Sequence, residues 1–246
     1  MSYIHGIGPV LEALRAGNRR IDRIIIAEGA DRKRLAELIE QARLSGVQVR
    51  REPRVALDRI AVGANHQGVV AVTSMIGYAD PDDLISRAGA HTLLVLLDSI
   101  EDPHNLGAII RTAECAGAAA VVITERRAAQ VTDTVVKTSA GATEHLPIAR
   151  VSNLASYIDE LKRSKFWVVG VDPSAKQRYT DYDYSGPVAL VFGGEGHGLH
   201  RLVLSKCDVS VSVPMQGRIQ SLNVSVTVGV VLFEAVRRRR INAAPG

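Results

Sequence analysis

Cysteine is scarce in this chain: 246 residues hold two, Cys115 and Cys207, far apart and without CxxC spacing. That count argues against a disulfide scaffold and a structural zinc site, and it fits a reducing compartment. Long hydrophobic runs are missing too. No stretch approaches the ~20 apolar residues that a bilayer crossing needs, and the opening MSYIHGIGPV lacks the basic-then-apolar layout of a secretory signal. The expectation is a cytoplasmic protein with no membrane partner and no metal. Nor is there a large excess of one charge, since 30 Lys+Arg face 26 Asp+Glu for a net charge of +4. That balance excludes neither a nucleic acid nor a small-molecule substrate. What is present is 46% hydrophobic residues, enough to bury the core of one large or two modest domains.

The charge is unevenly placed. Residues 1 to 75 hold 12 Lys+Arg against 8 Asp+Glu, while the remainder holds 18 of each. The early positives cluster as Arg19, Arg20 and Arg23, then Arg32, Lys33 and Arg34, then Arg50, Arg51 and Arg54, which suits either a polyanion such as RNA or a solvated surface. A second run, Arg237 to Arg240, closes the last helix, where cations offset the helix dipole.

Hydrophobic periodicity divides the chain. IDRIIIA (21 to 27) and GVVAVTS (68 to 74) read as strands, and Leu35, Leu38, Ile39 and Ala42 recur at helical spacing before Gly46. These make a small α/β domain over residues 1–75. The polar stretch MIGYADPDD, punctuated by Gly77 and Pro81, places a linker at 76–84. A second domain, 85–246, carries the apolar runs 93 to 97, 119 to 123, 166 to 171 and 188 to 192, interleaved with helical patterns at 106 to 116 and 154 to 163. Continuous rather than alternating apolar strands imply a mostly parallel sheet covered on both faces.

Ligands of such a sheet sit beyond the carboxyl ends of its strands, and three polar, glycine-bearing segments occupy those places. DSIEDPHNLGAIIRTAECAG puts Asn105 and Arg111 six residues apart on one helix, about 120° from one another, so both border one pocket only if it wraps the helix start. The same residues also suit a helix cap and a surface ion pair. LVFGGEGHGL follows a buried strand with Gly193, Gly194, Gly196, Gly198 and the carboxylate of Glu195. It is no P-loop, lacking Gly-Lys-Ser/Thr, and Leu199 stands where a dinucleotide fingerprint has its last glycine. A ligand approached closely by main chain suits it, and so does a plain tight turn. In SVPMQGRIQSLNVSVTVGVVLFEAV, Ser221 is placed to cap a helix that is apolar nearly all round, hence central or packed on a partner chain. Polar Ser221, Asn223 and Ser225 point its N-terminus at a ligand. His197 and His200 have ligand-like spacing without a third ligand, which leaves a surface or dimer-contact role, and His104 borders Asn105.

In this order and spacing the segments resemble the SpoU (TrmH-like) branch of the SPOUT RNA methyltransferases: NLGAIIRTA (105 to 113), GGEGHGL (193 to 199) and VPMQGRIQSLNVSVTVGVVLFEA (213 to 235) match its three motifs. IHGIGPVLEALRAG and ANHQGVVAV (64 to 72) are similar to the small RNA-binding domain of the guanosine-2′-O-methyltransferases of the RlmB type, which act on ribosomal RNA. The resemblance implies S-adenosylmethionine as methyl donor and a guanosine ribose 2′-hydroxyl of 23S ribosomal RNA as acceptor. It also implies a carboxy-terminal trefoil knot, an exception to un-knotted topology, in a homodimer formed through the second domain. Main-chain atoms of Gly193, Val213 and Leu222 match the family's cofactor contacts, with Gly194, Met215 and Ser221 beside them in the same loops. Asn105, Arg111, Glu195 and Asn223 match its active-site positions. Arg111 carries over as the residue that assists deprotonation of the 2′-hydroxyl, as a base or as an electrostatic positioner. Phe192 and Gly194 are variants within motif two, and Gln216, Arg218, Ile219 and Gln220 make motif three more polar and bulkier. The alternatives are a transfer RNA or another ribosomal nucleotide as acceptor, and a non-catalytic RNA-binding assembly factor.

Overall fold

The computed structural model describes residues 2–63, 65–74 and 76–243. Ala64, which opens one segment of the resemblance, and Met75, where the first domain was expected to end, lie outside the described residues. The chain divides into two compact units, Met1–Gly77 with Val131–His145, and Tyr78–Gln130 with Leu146–Gly246.

The first unit opens with β1 (Ser2–His5), α1 (Ile7–Ala16), β2 (Ile21–Ala27), α2 (Arg32–Leu44), β3 (Gln48–Glu52), α3 (Arg54–Ala61) and β4 (Val69–Thr73). The sheet order is β1-β4-β2-β3, with β1 and β2 antiparallel to β4 and β3 parallel to β2. Successive isoleucines of β2 feed both faces: Ile24 and Ile26 join Leu35 and Leu38 of α2, whereas Ile25 joins Leu57 of α3. A strand buried on both sides has no polar face to alternate with.

The second unit begins before the expected linker ends, with Ala79 bridging Ala149 and α4 running over Pro81–Ser86. Its further elements are β5 (Leu93–Asp98), α5 (Pro103–Cys115), β6 (Ala120–Thr124), β7 (Ile148–Val151), α7 (Leu154–Arg163), β8 (Trp167–Val171), β9 (Gln177–Arg178), β10 (Val188–Gly193), α8 (Arg201–Lys206), β11 (Val209–Ser212) and α9 (Val224–Ala243), with α6 (Asp133–Thr138) of the first unit falling between β6 and β7 in the chain. Its seven strands run β7-β6-β5-β10-β8-β11-β9, and every pair is parallel. The α/β class and the parallel sheet are therefore as expected from the apolar runs. From β5 the order goes outward one way through β6 and β7, and the other way through β10 and β8. This reversal opens a crevice beyond the carboxyl ends of β5 and β10.

Helix α6 lies in sequence within the second domain, yet it belongs to the first unit. It packs on β1, and its Val136 joins the core of Ile4, Val10 and Leu14. A buried ion pair ties the segment down: Arg19 Nη2 reaches Glu144 Oε1 at 2.8 Å, with the side chains 4% and 2% exposed. Arg19 Nε donates to the other carboxylate oxygen at 3.1 Å and Nη1 to Thr73 Oγ1 at 2.7 Å. Arg19 is thus neither polyanion-facing nor solvated, because its guanidinium is buried on Glu144 and Thr73. Arg239 departs similarly from the basic run at the end of α9. Its guanidinium donates to the carbonyls of His91, Tyr184 and Gly186 and so anchors the helix.

Candidate active site

The first segment leaves β5 at Asp98, which is buried, and turns through Ser99 at φ 61°. Asp102 caps α5 by accepting from the His104 N–H at 2.8 Å, with Pro103 at the first helical position, where its missing N–H costs nothing. Because Asp102 supplies the cap, the side chain of Asn105 is free for other partners. It is buried, and its Nδ2 donates to Glu195 Oε1 at 2.6 Å. Arg111, six residues on, is exposed.

The second segment is a turn of main chain folded on itself. Gly193 ends β10 in register with Asp98, and a Cβ there would sit 2.0 Å from Gly198 C. At Gly194 it would sit 2.3 Å from Ser99 O. The turn is tied by Gly194 N–H to Asp98 O at 2.9 Å and Gly198 N–H to Gly194 O at 3.1 Å. Gly196 and Gly198 have positive φ, 85° and 63°. His200 fixes the exit from this turn: its backbone N–H donates to Asp98 Oδ2 at 2.8 Å, and its Nδ1 lies 3.0 Å from the same carboxylate. Among the described residues no group of three His, Cys, Asp or Glu side chains is arranged to hold a metal ion.

The third segment runs from β11 to α9. Ser221 was placed to cap that helix, but Asn223 does so, its Oδ1 accepting from Ser225 N–H at 2.9 Å. The helix starts three residues beyond Ser221, at Val224, and a cap must directly precede the first turn. The Asn223 amide then donates to Asn105 Oδ1 and to Glu195 Oε1, both at 3.0 Å. One residue from each segment thereby enters a single hydrogen-bonded cluster, Asn105, Glu195 and Asn223. The apolar helix is not buried all round: Val228, Val231, Leu232 and Ala235 are covered, whereas Val226 and Phe233 are each about half exposed.

Two cavities adjoin this cluster. One of about 460 Å³ is lined by all six residues expected to hold a cofactor, Gly193, Gly194, Val213, Met215, Ser221 and Leu222. Asp172 and Pro173, just past β8, line it too. Sequence reasoning missed them, although their place after an apolar strand was the available signal. The other, about 530 Å³, is lined by Asn105, Glu195, His197, His200, Ser99 and Arg127 among others. Gly194, Glu195, Gly198 and Val224 line both, so the cavities share a wall. Arg111 lines neither. Burial pushes the Cys207 thiol up to about 12, which favours the neutral thiol over the nucleophilic thiolate. We expect Glu195→Ala to lower stability by about 1–3 kcal/mol by leaving the buried Asn105 amide without its acceptor, as read from urea denaturation. Glu195→Gln keeps an acceptor oxygen and is expected to lose less.

Comparisons with known proteins show the family. A model of the SpoU rRNA Methylase family matches residues 92–233, and one described as RNA 2′-O ribose methyltransferase substrate binding matches residues 3–79. The chain belongs to the SpoU rRNA methylase family. Among its SpoU relatives, the 23S rRNA (guanosine-2′-O-)-methyltransferase RlmB of Xylella fastidiosa is 40% identical over 242 residues, 97% of each chain. The SpoU methyltransferase AviRb from Streptomyces viridochromogenes has a similar structure, with TM-score 0.83 and 28% identity over 98% of this chain and 90% of that one. AviRb in complex with the cofactor AdoMet gives 0.82 and 27%, over 98% and 91%. Among the described residues of this SpoU protein no helix is long and apolar enough to cross a membrane.

Proposed function

We propose that this protein transfers a methyl group from S-adenosylmethionine to the ribose 2′-hydroxyl of a guanosine in 23S ribosomal RNA, in the cytoplasm, with S-adenosylhomocysteine as leaving group and the hydroxyl proton released to water. One observation carries the reading: the Asn105–Glu195–Asn223 cluster stands where two cavities meet, so a donor in one faces an acceptor in the other. The smaller cavity, about 460 Å³, is in the range that holds a drug-sized ligand. Gly193 and Gly194 have no room for a Cβ, so that wall is main chain, which suits a cofactor recognised by backbone groups. When bound, S-adenosylmethionine supplies an electrophilic sulfonium methyl group.

The chain's own residues supply position. In-line transfer requires the reacting oxygen at near-attack distance, and the cluster fixes the start of α5, the glycine turn and the start of α9 relative to one another. Glu195 Oε1 accepts from both amides and sets their orientation, leaving its second oxygen for the acceptor side. A guanidinium stays protonated in nearly every protein environment, so Arg111 serves best as a phosphate clamp that orients the acceptor. It is exposed on α5, which packs on α9. Val226 and Phe233 lie two turns apart on α9 and expose one apolar stripe. A second copy of the chain covering that stripe would form the homodimer and bring Arg111 to an acceptor. The carboxy-terminal trefoil knot belongs to the same proposal, as does the reading of the first unit as the RNA-binding part, supported by exposed Arg20 and Arg51.

Calorimetric titration with S-adenosylmethionine is expected to show binding, and ribose-methylation mapping is expected to lose one guanosine signal in cells without this protein. No uptake of the cofactor, or an unchanged methylation map, overturns the proposal. Arg111→Ala is expected to lower methyl transfer about a hundredfold, the scale of loss when the acceptor is misplaced, with cofactor affinity unchanged. A rate near wild type would remove Arg111 from the mechanism.

A further inference from the structure

The larger cavity holds a cation that none of the three motifs contains. Arg127 sits on the turn after β6, with φ 55°, and lines that cavity. It is one of two lining residues other than glycine held at positive φ, the other being Ser99 at 61°. Left-handed backbone is unfavourable for residues with a Cβ and persists where the surroundings hold it. Those surroundings are visible here. Gln130 Nε2 donates to the carbonyls of Thr124, Glu125 and Ala128 at 3.3, 3.4 and 3.1 Å, and Ala129 N–H donates to Ile100 O at 2.7 Å. The turn is therefore pinned on both sides of Arg127, whose guanidinium is left exposed.

The cavity's carboxylates do not claim it. Asp102 accepts from the His104 N–H, and Glu195 accepts from the amides of Asn105 and Asn223. Glu101 also lines the cavity, and no ion pair joins it to Arg127 among the described residues. A permanently charged, fork-shaped donor with no side-chain partner among the described residues, on a turn braced from inside, suits an external oxyanion. We propose that Arg127 grips a backbone phosphate of the RNA strand whose ribose enters this cavity. The proposal rests on the methyl-transfer reading for the identity of the anion. It adds a binding residue outside the three motifs.

The test uses the full chain and in-vitro-transcribed 23S ribosomal RNA, with binding followed across a potassium chloride series. Arg127→Ala is expected to weaken RNA binding about tenfold and to lower the slope of log affinity against log salt by about 1, as loss of one phosphate contact does. KM for RNA should rise while kcat and S-adenosylmethionine affinity hold. Arg127→Lys should keep the salt slope and lose part of the affinity, because an ammonium lacks the fork. Arg127→Gly relieves the backbone strain and should behave like Arg127→Ala. An unchanged slope in Arg127→Ala, or wild-type binding in Arg127→Gly, overturns the proposal, since the turn's conformation and not its charge would then matter. Wild-type protein that transfers no methyl group but keeps the Arg127-dependent slope would sink the methyl-transfer reading and leave this contact standing.

Discussion

Gly193→Ala is expected to abolish cofactor binding in calorimetric titration and to reduce methyl transfer at least about a hundredfold, the scale of loss when reacting groups are displaced by an ångström. The added Cβ would lie 2.0 Å from Gly198 C, 2.2 Å from Gly198 O and 2.3 Å from Leu199 N. All three are backbone atoms of the same turn, so no side chain can rotate away. Either the end of β10 moves off β5 or the turn opens, and both displace Glu195 from Asn105. Overpacking on this scale costs about 3 kcal/mol, which urea denaturation would read alongside the binding loss. Gly196→Ala is the control: its Cβ would meet nothing within 4 Å, so only its φ of 85° opposes the change, worth about 1–2 kcal/mol. Wild-type cofactor affinity in Gly193→Ala would show that the turn does not form the binding wall.

Arg19→Met should destabilise the first unit by about 3–5 kcal/mol, because it leaves the Glu144 carboxylate buried without its cation. Against a typical total stability of about 5–15 kcal/mol, that is a large share. The loss should appear as a lower urea midpoint and as faster amide exchange in Val131–His145, the segment that Glu144 holds. Adding Glu144→Leu should restore most of the stability, since removing both charges removes the desolvation penalty with the attraction. If Arg19→Met alone stays within about 1 kcal/mol of wild type, the range of a solvent-exposed pair, the ion pair does not hold the segment.

These two predictions mark how far the sequence could be read. The four glycines of GGEGHG look alike in a string of letters. Only coordinates separate Gly193 and Gly194, which have no space for a side chain, from Gly196 and Gly198, which need a positive φ. Arg19 sits among positive neighbours in sequence and opposite Glu144 in space, and 125 residues of separation hide that partner. Ser221 and Asn223 are both cap-forming residues, and nothing short of the helix start decides between them. Residues 131–145 carry no composition signal for the first unit, because one helix with two buried valines, Val135 and Val136, packs equally well on any apolar face.

The amino-acid sequence by itself determined β5, β6, β8 and β10 of the second unit's seven strands, their parallel arrangement and the three polar segments of the site. Each of these follows from local apolar runs and from glycine and polar residues placed directly after them. Tertiary structure alone decided that Asn105, Glu195 and Asn223 meet, that two cavities share the wall they form, and that Arg111 stands outside both. Such meetings depend on distances between residues some 28 to 118 apart along the chain, and periodicity, which reports only on neighbours, carries no term for them.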